Sequence, residues 1–219
     1  KNVNFMGSTA IVGNSIPIGA GLALTSKIEN NKKITCIFLG DGSVEEGVFY
    51  ETVNFCAVKN LPVMFVCENN LYSVYSSLKP RQPRNRKIHE MVRAMGIKTY
   101  NEDGNDALKC YKILNNSSKE IRNKGNPIFI EFYTYRWREH CGPNFDNSIG
   151  YRTEKEYLKW KKNDPIIKLK KYIINKKILK NEDIIRIENQ INLRVKKAFN
   201  YAENSSFPNY EEITNKVYA

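Results

Sequence analysis

Two short apolar runs, one helix length apart and each closed by a polar residue, constrain this chain more than any other feature. The first is Ile34-Thr35-Cys36-Ile37-Phe38-Leu39, closed by Gly40-Asp41-Gly42. The second is Leu61-Pro62-Val63-Met64-Phe65-Val66-Cys67, closed by Glu68-Asn69-Asn70. Residues 45–60 between them have room for one helix, with Phe49, Val53 and Cys56 on one buried face and Phe55 nearby. Such a strand–helix–strand unit makes its strands parallel. Asp41 and Asn70 then stand at the carboxyl ends of two parallel strands, where open sheets bind ligands. A carboxylate and an amide oxygen are hard ligands. They suit magnesium, which keeps phosphate oxygens and water as its other ligands. The pair therefore predicts a metal holding a diphosphate. Gly-Asp-Gly alone would be only a turn; the spacing of the two motifs carries the argument.

The rest of the chain continues the alternation. Residues 7–27 run from a glycine-rich turn into a helix, where Gly13, Gly19 and Gly21 permit close backbone approach and Pro17 suits a first turn. Residues 76–87, with Pro80, Pro83, Arg81, Arg84 and Arg86, read as a loop. A short helix over 89–95, a short strand over 97–100 and a helix over 106–124 follow, with Gly125 past its end. Residues 127–135 form a strongly apolar strand, and 136–152 a long loop. Thr153 and Glu156 fit a capping box for a helix over 153–162. Asp164-Pro165 opens another helix, residues 181–204 a last one, and the tail from Ser205 is turn-rich. The pattern predicts an α/β fold, a doubly wound parallel sheet flanked by helices. We expect residues 1–164 to form that α/β domain, with 165–219 a helical extension packed on it.

Composition narrows the alternatives. No apolar run is long enough for a membrane helix, so no membrane partner is expected. Five cysteines without Cys-x-x-Cys spacing exclude a zinc finger. Cys36 and Cys67 read as small hydrophobes inside strands. The odd count fits a reducing compartment, cytoplasmic or an organelle matrix. The net charge of +12 would suit nucleic acid. The basic residues are not interleaved with stacking aromatics, so they read as solvated helix faces and no nucleic acid is expected.

The segment from Gly40-Asp41-Gly42 to Asn69-Asn70 resembles the thiamine-diphosphate motif. The surrounding words are similar to the alpha subunit of thiamine-diphosphate-dependent 2-oxo-acid dehydrogenases of the pyruvate and acetoin dehydrogenase type. They include Pro17-Ile18-Gly19-Ala20-Gly21, Glu46-Gly47, Tyr135-Arg136, Gly150-Tyr151-Arg152-Thr153 and Asp164-Pro165-Ile166. The resemblance covers nearly the whole chain and begins in the middle of that subunit, so a preceding segment is expected.

The resemblance implies thiamine diphosphate and magnesium as cofactors. Asp41, the side-chain oxygen of Asn70 and the backbone carbonyl of Tyr72 are the implied metal ligands. Gly40, Gly42 and Ser43 would meet the diphosphate at the start of a helix at Glu45. Ala10, Ile11 and Val12 would face the aminopyrimidine ring. Val74 matches the residue that wedges the cofactor into its bent form; read alone, it is core. His140 matches an active-site histidine that holds the cofactor's phosphate or donates protons near the reacting carbonyl. His89 has no such match and reads as solvent-facing. His140-Cys141 and Gly150-Tyr151 stand where pyruvate dehydrogenases carry phosphorylated serines, so that control is not expected. The glutamate that activates the cofactor would come from a beta subunit, in a heterotetramer of two alpha and two beta chains. The acyl acceptor would be a lipoyl carrier protein. A transketolase- or acetolactate-like carboligase subunit using the same cofactor and a non-catalytic basic binding subunit are the alternative readings.

Overall fold

The computed structural model describes residues 4–213. In chain order the elements are α1 (Ser15–Ile28), β1 (Thr35–Gly40), a 3-10 turn (Asp41–Glu45), α2 (Gly47–Lys59), β2 (Val63–Asn69), the two-residue strands β3 (Tyr72–Ser73) and β4 (Ser76–Ser77), α3 (Leu78–Arg81) and α4 (Ile88–Ala94). There follow β5 (Lys98–Asp103), α5 (Ala107–Lys124), β6 (Ile128–Tyr133), α6 (Glu154–Lys161), α7 (Pro165–Asn175), α8 (Asn181–Asn204) and a final 3-10 turn (Tyr210–Ile213). One unit ends at Leu169 and another begins at Lys170. The second holds α8, whose Ile185, Ile191 and Phe199 are exposed.

The first unit is built on a parallel sheet in the order β1-β2-β6-β5. Helices cover both faces, as a doubly wound sheet requires. Alternate side chains of β2 face opposite ways. Val63, Phe65 and Cys67 join Ile16, Ala20, Phe49, Val53, Ile88 and Val92 from α1, α2 and α4. Met64 and Val66 join Ile128, Ile130, Phe132 and Ile121 of α5 on the other side. Phe65 and Phe129 are fully buried, and burying each side chain contributes about 1.5–3 kcal/mol. Gly19 lets α1 lie against β1, because a Cβ there would fall 2.5 Å from Ile37 Cγ1. Gly21 faces open space and serves no such contact.

Several local expectations are corrected. Cys36 is exposed rather than packed, as is Phe38 at 60%. Both point to the face covered by α5, whose cluster takes residues from β2 and β6 but none from the edge strand β1. Phe55 is 38% exposed. Strand β5 runs to Asp103, past the apolar segment, because pairing with β6 from Lys98↔Ile128 to Asp103↔Tyr133 carries it. The expected loop over 76–87 contains β4 and α3. The α5 boundaries follow their caps: Asp106 accepts from Lys109 N at 3.0 Å, and Gly125 takes φ +74°.

Candidate functional site at the carboxyl ends of β1 and β2

Parallel pairing of Leu39 with Cys67 and Gly40 with Glu68 brings the two polar motifs to one edge of the sheet. Asp41 follows β1 and is 1% exposed. Its Oδ2 accepts a hydrogen bond from Arg81 Nη2 at 2.5 Å, while its Oδ1 is buried without a partner. A buried carboxylate oxygen left bare is costly unless a cation or donor meets it. The 3-10 turn from Asp41 to Glu45 replaces the helix expected at Glu45; Glu46 is extended and α2 starts at Gly47. Val44, fully buried, anchors that turn, and Gly42 allows it to approach the hairpin. A Cβ on Gly42 would lie 2.6 Å from Ser73 Oγ.

The partner turn is shaped by two asparagines. Asn69 donates from Nδ2 to Glu131 Oε1 at 2.7 Å and accepts from Leu71 N at 3.0 Å. Asn70 Oδ1 accepts from Tyr72 N at 3.1 Å, which leaves that oxygen a second lone pair. Leu71 at φ +73° and Val74 at φ +52° occupy the left-handed region. That conformation is rare for a β-branched residue such as valine and marks strain. Tyr72 is buried, and its hydroxyl donates to the Glu156 carboxylate, 2.9 Å from Oε2. Burial, then the Glu156 hydrogen bond, pushes the Tyr72 phenol well up from its ordinary value. Glu156 thus points to Tyr72. Thr153 caps α6 through Glu156 N at 3.1 Å, but the reciprocal half of the expected box is not made.

Beneath the asparagines lies a charged centre. Glu131, 0% exposed on β6, accepts from Asn69 Nδ2, from His89 N at 3.0 Å and from His89 Nδ1 at 2.7 Å. His89 is therefore not solvent-facing; it is 7% exposed and held at the start of α4. Glu131 Oε2 takes the backbone N–H of His89, and it takes the ring as well when the Nδ1 position carries the hydrogen. The cavity beside this centre has a volume near 690 Å³, and Gln82, Arg84, Arg86 and Tyr133 line it together with Asn69 and Glu131.

The loop over 136–152 docks on the strained turn. Arg136 Nη2 donates to Val74 O at 2.7 Å and to the Tyr151 hydroxyl at 2.9 Å, and the Tyr151 ring meets Tyr72 edge-on at 5.3 Å. Buried Arg152 pairs with buried Asp146 and lies 4.9 Å over the Tyr135 ring. Burial alone would raise the Asp146 carboxyl. Hydrogen bonds from Tyr151 and Arg152, with the charges of Arg152 and Arg136, hold it below the usual range instead. His140 sits on this loop, exposed, without a hydrogen bond or ion pair to the described residues. Ala10, Ile11 and Val12 are exposed just before Gly13, where a Cβ would lie 3.2 Å from Glu46 Cβ.

Asp41, Gly42, Ser43, Asn70, Tyr72 and Val74 thus belong to two packed turns, with Gly40 closing β1 before them. The sequence reading missed Arg81, Glu131, His89 and Asp146. A lone glutamate inside Ile128-Phe129-Ile130-Glu131-Phe132 was the available signal, since a buried charge needs partners. No group of three or more His, Cys, Asp or Glu among the described residues could hold a metal. One carboxylate with amide and carbonyl oxygens is a different donor set, suited to magnesium. The bare Asp41 Oδ1 fits it.

The fold and this strand-end site define a doubly wound α/β protein with an oxygen-donor centre beside its first crossover. The chain belongs to the family described as Dehydrogenase E1 component, which it matches over residues 1–211. It is 34% identical over 214 residues to the pyruvate dehydrogenase E1 component subunit alpha of Rickettsia bellii, covering 98% of this chain and 64% of the relative. It is 32% identical to the chloroplastic subunit alpha-3 of Arabidopsis thaliana, covering 100% of this chain and 52% of that protein. The chain therefore spans under two thirds of the length of these curated relatives. The transketolase structure from Campylobacter jejuni shares the fold at a TM-score of 0.51 and 20% identity, over 57% of this chain and 20% of that one. No helix of the described residues is long and apolar enough to cross a membrane.

Proposed function

We propose that this chain is the diphosphate-binding part of an alpha subunit in a thiamine-diphosphate-dependent 2-oxo-acid dehydrogenase. The observation that carries the reading is Asp41: buried, at the carboxyl end of β1, with Oδ1 bare. Asp41 Oδ1, the Asn70 side-chain oxygen and the Tyr72 carbonyl would hold magnesium. Gly40, Gly42 and Ser43 would line the diphosphate. Ala10, Ile11 and Val12 would line the pyrimidine end, and Val74 would press on the cofactor. Membership in the family and similarity to named pyruvate dehydrogenase alpha subunits support the assignment.

When bound, thiamine diphosphate supplies a nucleophilic carbon and an electron sink for cleavage beside a carbonyl. The protein's part is placement. The Asn69 and Asn70 turns hold the backbone at 71–74, and Glu131 holds Asn69. Arg136 ties the histidine-bearing loop to Val74 O, which would bring His140 to move protons near the substrate. A beta subunit would complete the site in a heterotetramer of two alpha and two beta chains. A lipoyl carrier would accept the acyl group from a 2-oxo acid such as pyruvate, or the acetyl unit from acetoin. Five unpaired cysteines support a reducing compartment, cytoplasmic or organelle matrix.

The test is calorimetric binding of thiamine diphosphate with magnesium to the full chain mixed with its beta chain. The reading expects binding that requires magnesium and disappears in Asp41→Ala. Binding unchanged by Asp41→Ala would overturn it.

A further inference from the structure

The bond from Arg81 to Asp41 raises a question that metal binding alone does not answer. A guanidinium beside a metal-ligating carboxylate opposes the cation that carboxylate is meant to attract. Arg81 is also no loose surface side chain. Its Nη2 holds Asp41 Oδ2 and its Nη1 holds Glu45 Oε1, each at 2.5 Å, and its Nε donates to the carbonyls of Ser76 and Ser77 at 3.1 and 3.2 Å. Gln82 Nε2 adds a bond to Glu45 Oε1 at 2.8 Å. The planar fork spans the 3-10 turn and β4, and no other side-chain type offers that geometry with a permanent charge. Within this cluster Asp41 Oδ1 is buried and left bare.

Charge follows from this arrangement. Two carboxylates and one guanidinium leave the cluster with one net negative charge. A divalent cation alone would turn that into a net positive cluster in a partly buried setting, where like charges repel strongly. A cation arriving with an anionic diphosphate would not. We infer that Arg81 is a positioning residue that makes the Asp41 site select a metal–diphosphate pair over free metal. It orients Asp41 through Oδ2 and raises the cost of a bare cation, so metal and diphosphate bind with positive coupling. Coupling of this kind is reciprocal: each ligand strengthens the other by the same factor. The inference rests on the proposed metal site at Asp41 and adds the source of its selectivity.

The experiment is a manganese(II) titration of the full chain, followed by the electron paramagnetic resonance signal of free manganese, with and without inorganic pyrophosphate. Wild type, Arg81→Gln, Arg81→Lys and Asp41→Asn are compared, and tryptophan fluorescence melts check that each is folded. Arg81→Gln removes the charge. It should tighten manganese binding without pyrophosphate by about tenfold and shrink the pyrophosphate enhancement by a similar factor. Arg81→Lys keeps the charge and should keep the enhancement within about threefold of wild type. A merely structural Arg81 would instead weaken manganese in both conditions for both variants, and that result overturns the inference. Manganese binding lost in Asp41→Asn, with coupling unchanged in Arg81→Gln, overturns the inference while the metal site stands. No manganese binding by wild type even with pyrophosphate overturns the metal site and the inference together.

Discussion

Replacing Glu131 with glutamine tests whether a buried carboxylate on strand β6 organises the turn that follows β2. The wild-type carboxylate accepts three hydrogen bonds, two from His89 and one from Asn69. Glutamine keeps one acceptor oxygen and puts an amide donor in place of the other. If the amide faces Asn69, two N–H groups collide, and Asn69 can comply only by flipping, which removes the acceptor for Leu71 N. If it faces His89, the backbone N–H of His89 is left buried and unpaired. Each unsatisfied buried donor costs roughly 1–3 kcal/mol. At about 2 kcal/mol each, one to two of them place the loss at about 2–4 kcal/mol. For a chain of this size about 1 kcal/mol corresponds to roughly 2–4 °C, so the melting temperature should fall by roughly 4–16 °C. Urea unfolding followed by tryptophan fluorescence measures the free energy directly. His89→Ala combined with Glu131→Gln should be non-additive by more than about 1 kcal/mol, because the two residues share the same bonds. A Glu131→Gln chain within about 0.5 kcal/mol of wild type, or strict additivity with His89→Ala, would refute the reasoning, since ordinary surface changes fall in that range.

Gly42→Ala should weaken thiamine diphosphate binding by about tenfold, from overpacking of roughly 1–3 kcal/mol against Ser73 Oγ, and Ser73→Gly should restore it in calorimetry. Val74→Gly should relieve a strained φ of +52° and raise urea stability by about 1 kcal/mol. The same variant should loosen cofactor binding, and unchanged affinity would remove the wedge role. Asp146 has a depressed carboxyl in the folded chain. Its stabilisation is therefore complete above the usual carboxylate range and is lost as pH falls through the lower folded-state value. Both tryptophans, Trp137 and Trp160, pack on Tyr135, so fluorescence reports this loop during an acid titration. Asp146→Asn should lose that acid transition, and an identical acid titration in wild type and variant would sink the assignment.

Much of the site was legible because its motifs are local. Asp41 and Asn70 each close an apolar run, and the sheet order β1-β2 follows from one helix between them. The α5 boundaries followed from Asp106 and Gly125, whose capping acts within a few residues. The 3-10 turn at Asp41–Glu45 escaped notice because Gly42 there answers to Ser73, a neighbour on the hairpin after β2. The burial of His89 has no local signal, because its carboxylate partner Glu131 lies 42 positions away.

By itself the sequence determined the alternation of strands and helices, the parallel sheet and the polar pair at its strand ends. Periodicity, caps and turn residues act over short separations, so they can be read from neighbouring letters. Tertiary structure alone decided that Arg81 grips Asp41 across 40 positions and that Glu131 serves His89 and Asn69 across 42 and 62. It also carried β5 past its apolar segment and left Cys36 and Phe38 uncovered at the sheet edge. Burial creates those demands: a charge removed from water takes whichever partner the fold brings near, and that partner's distance along the chain leaves no local mark.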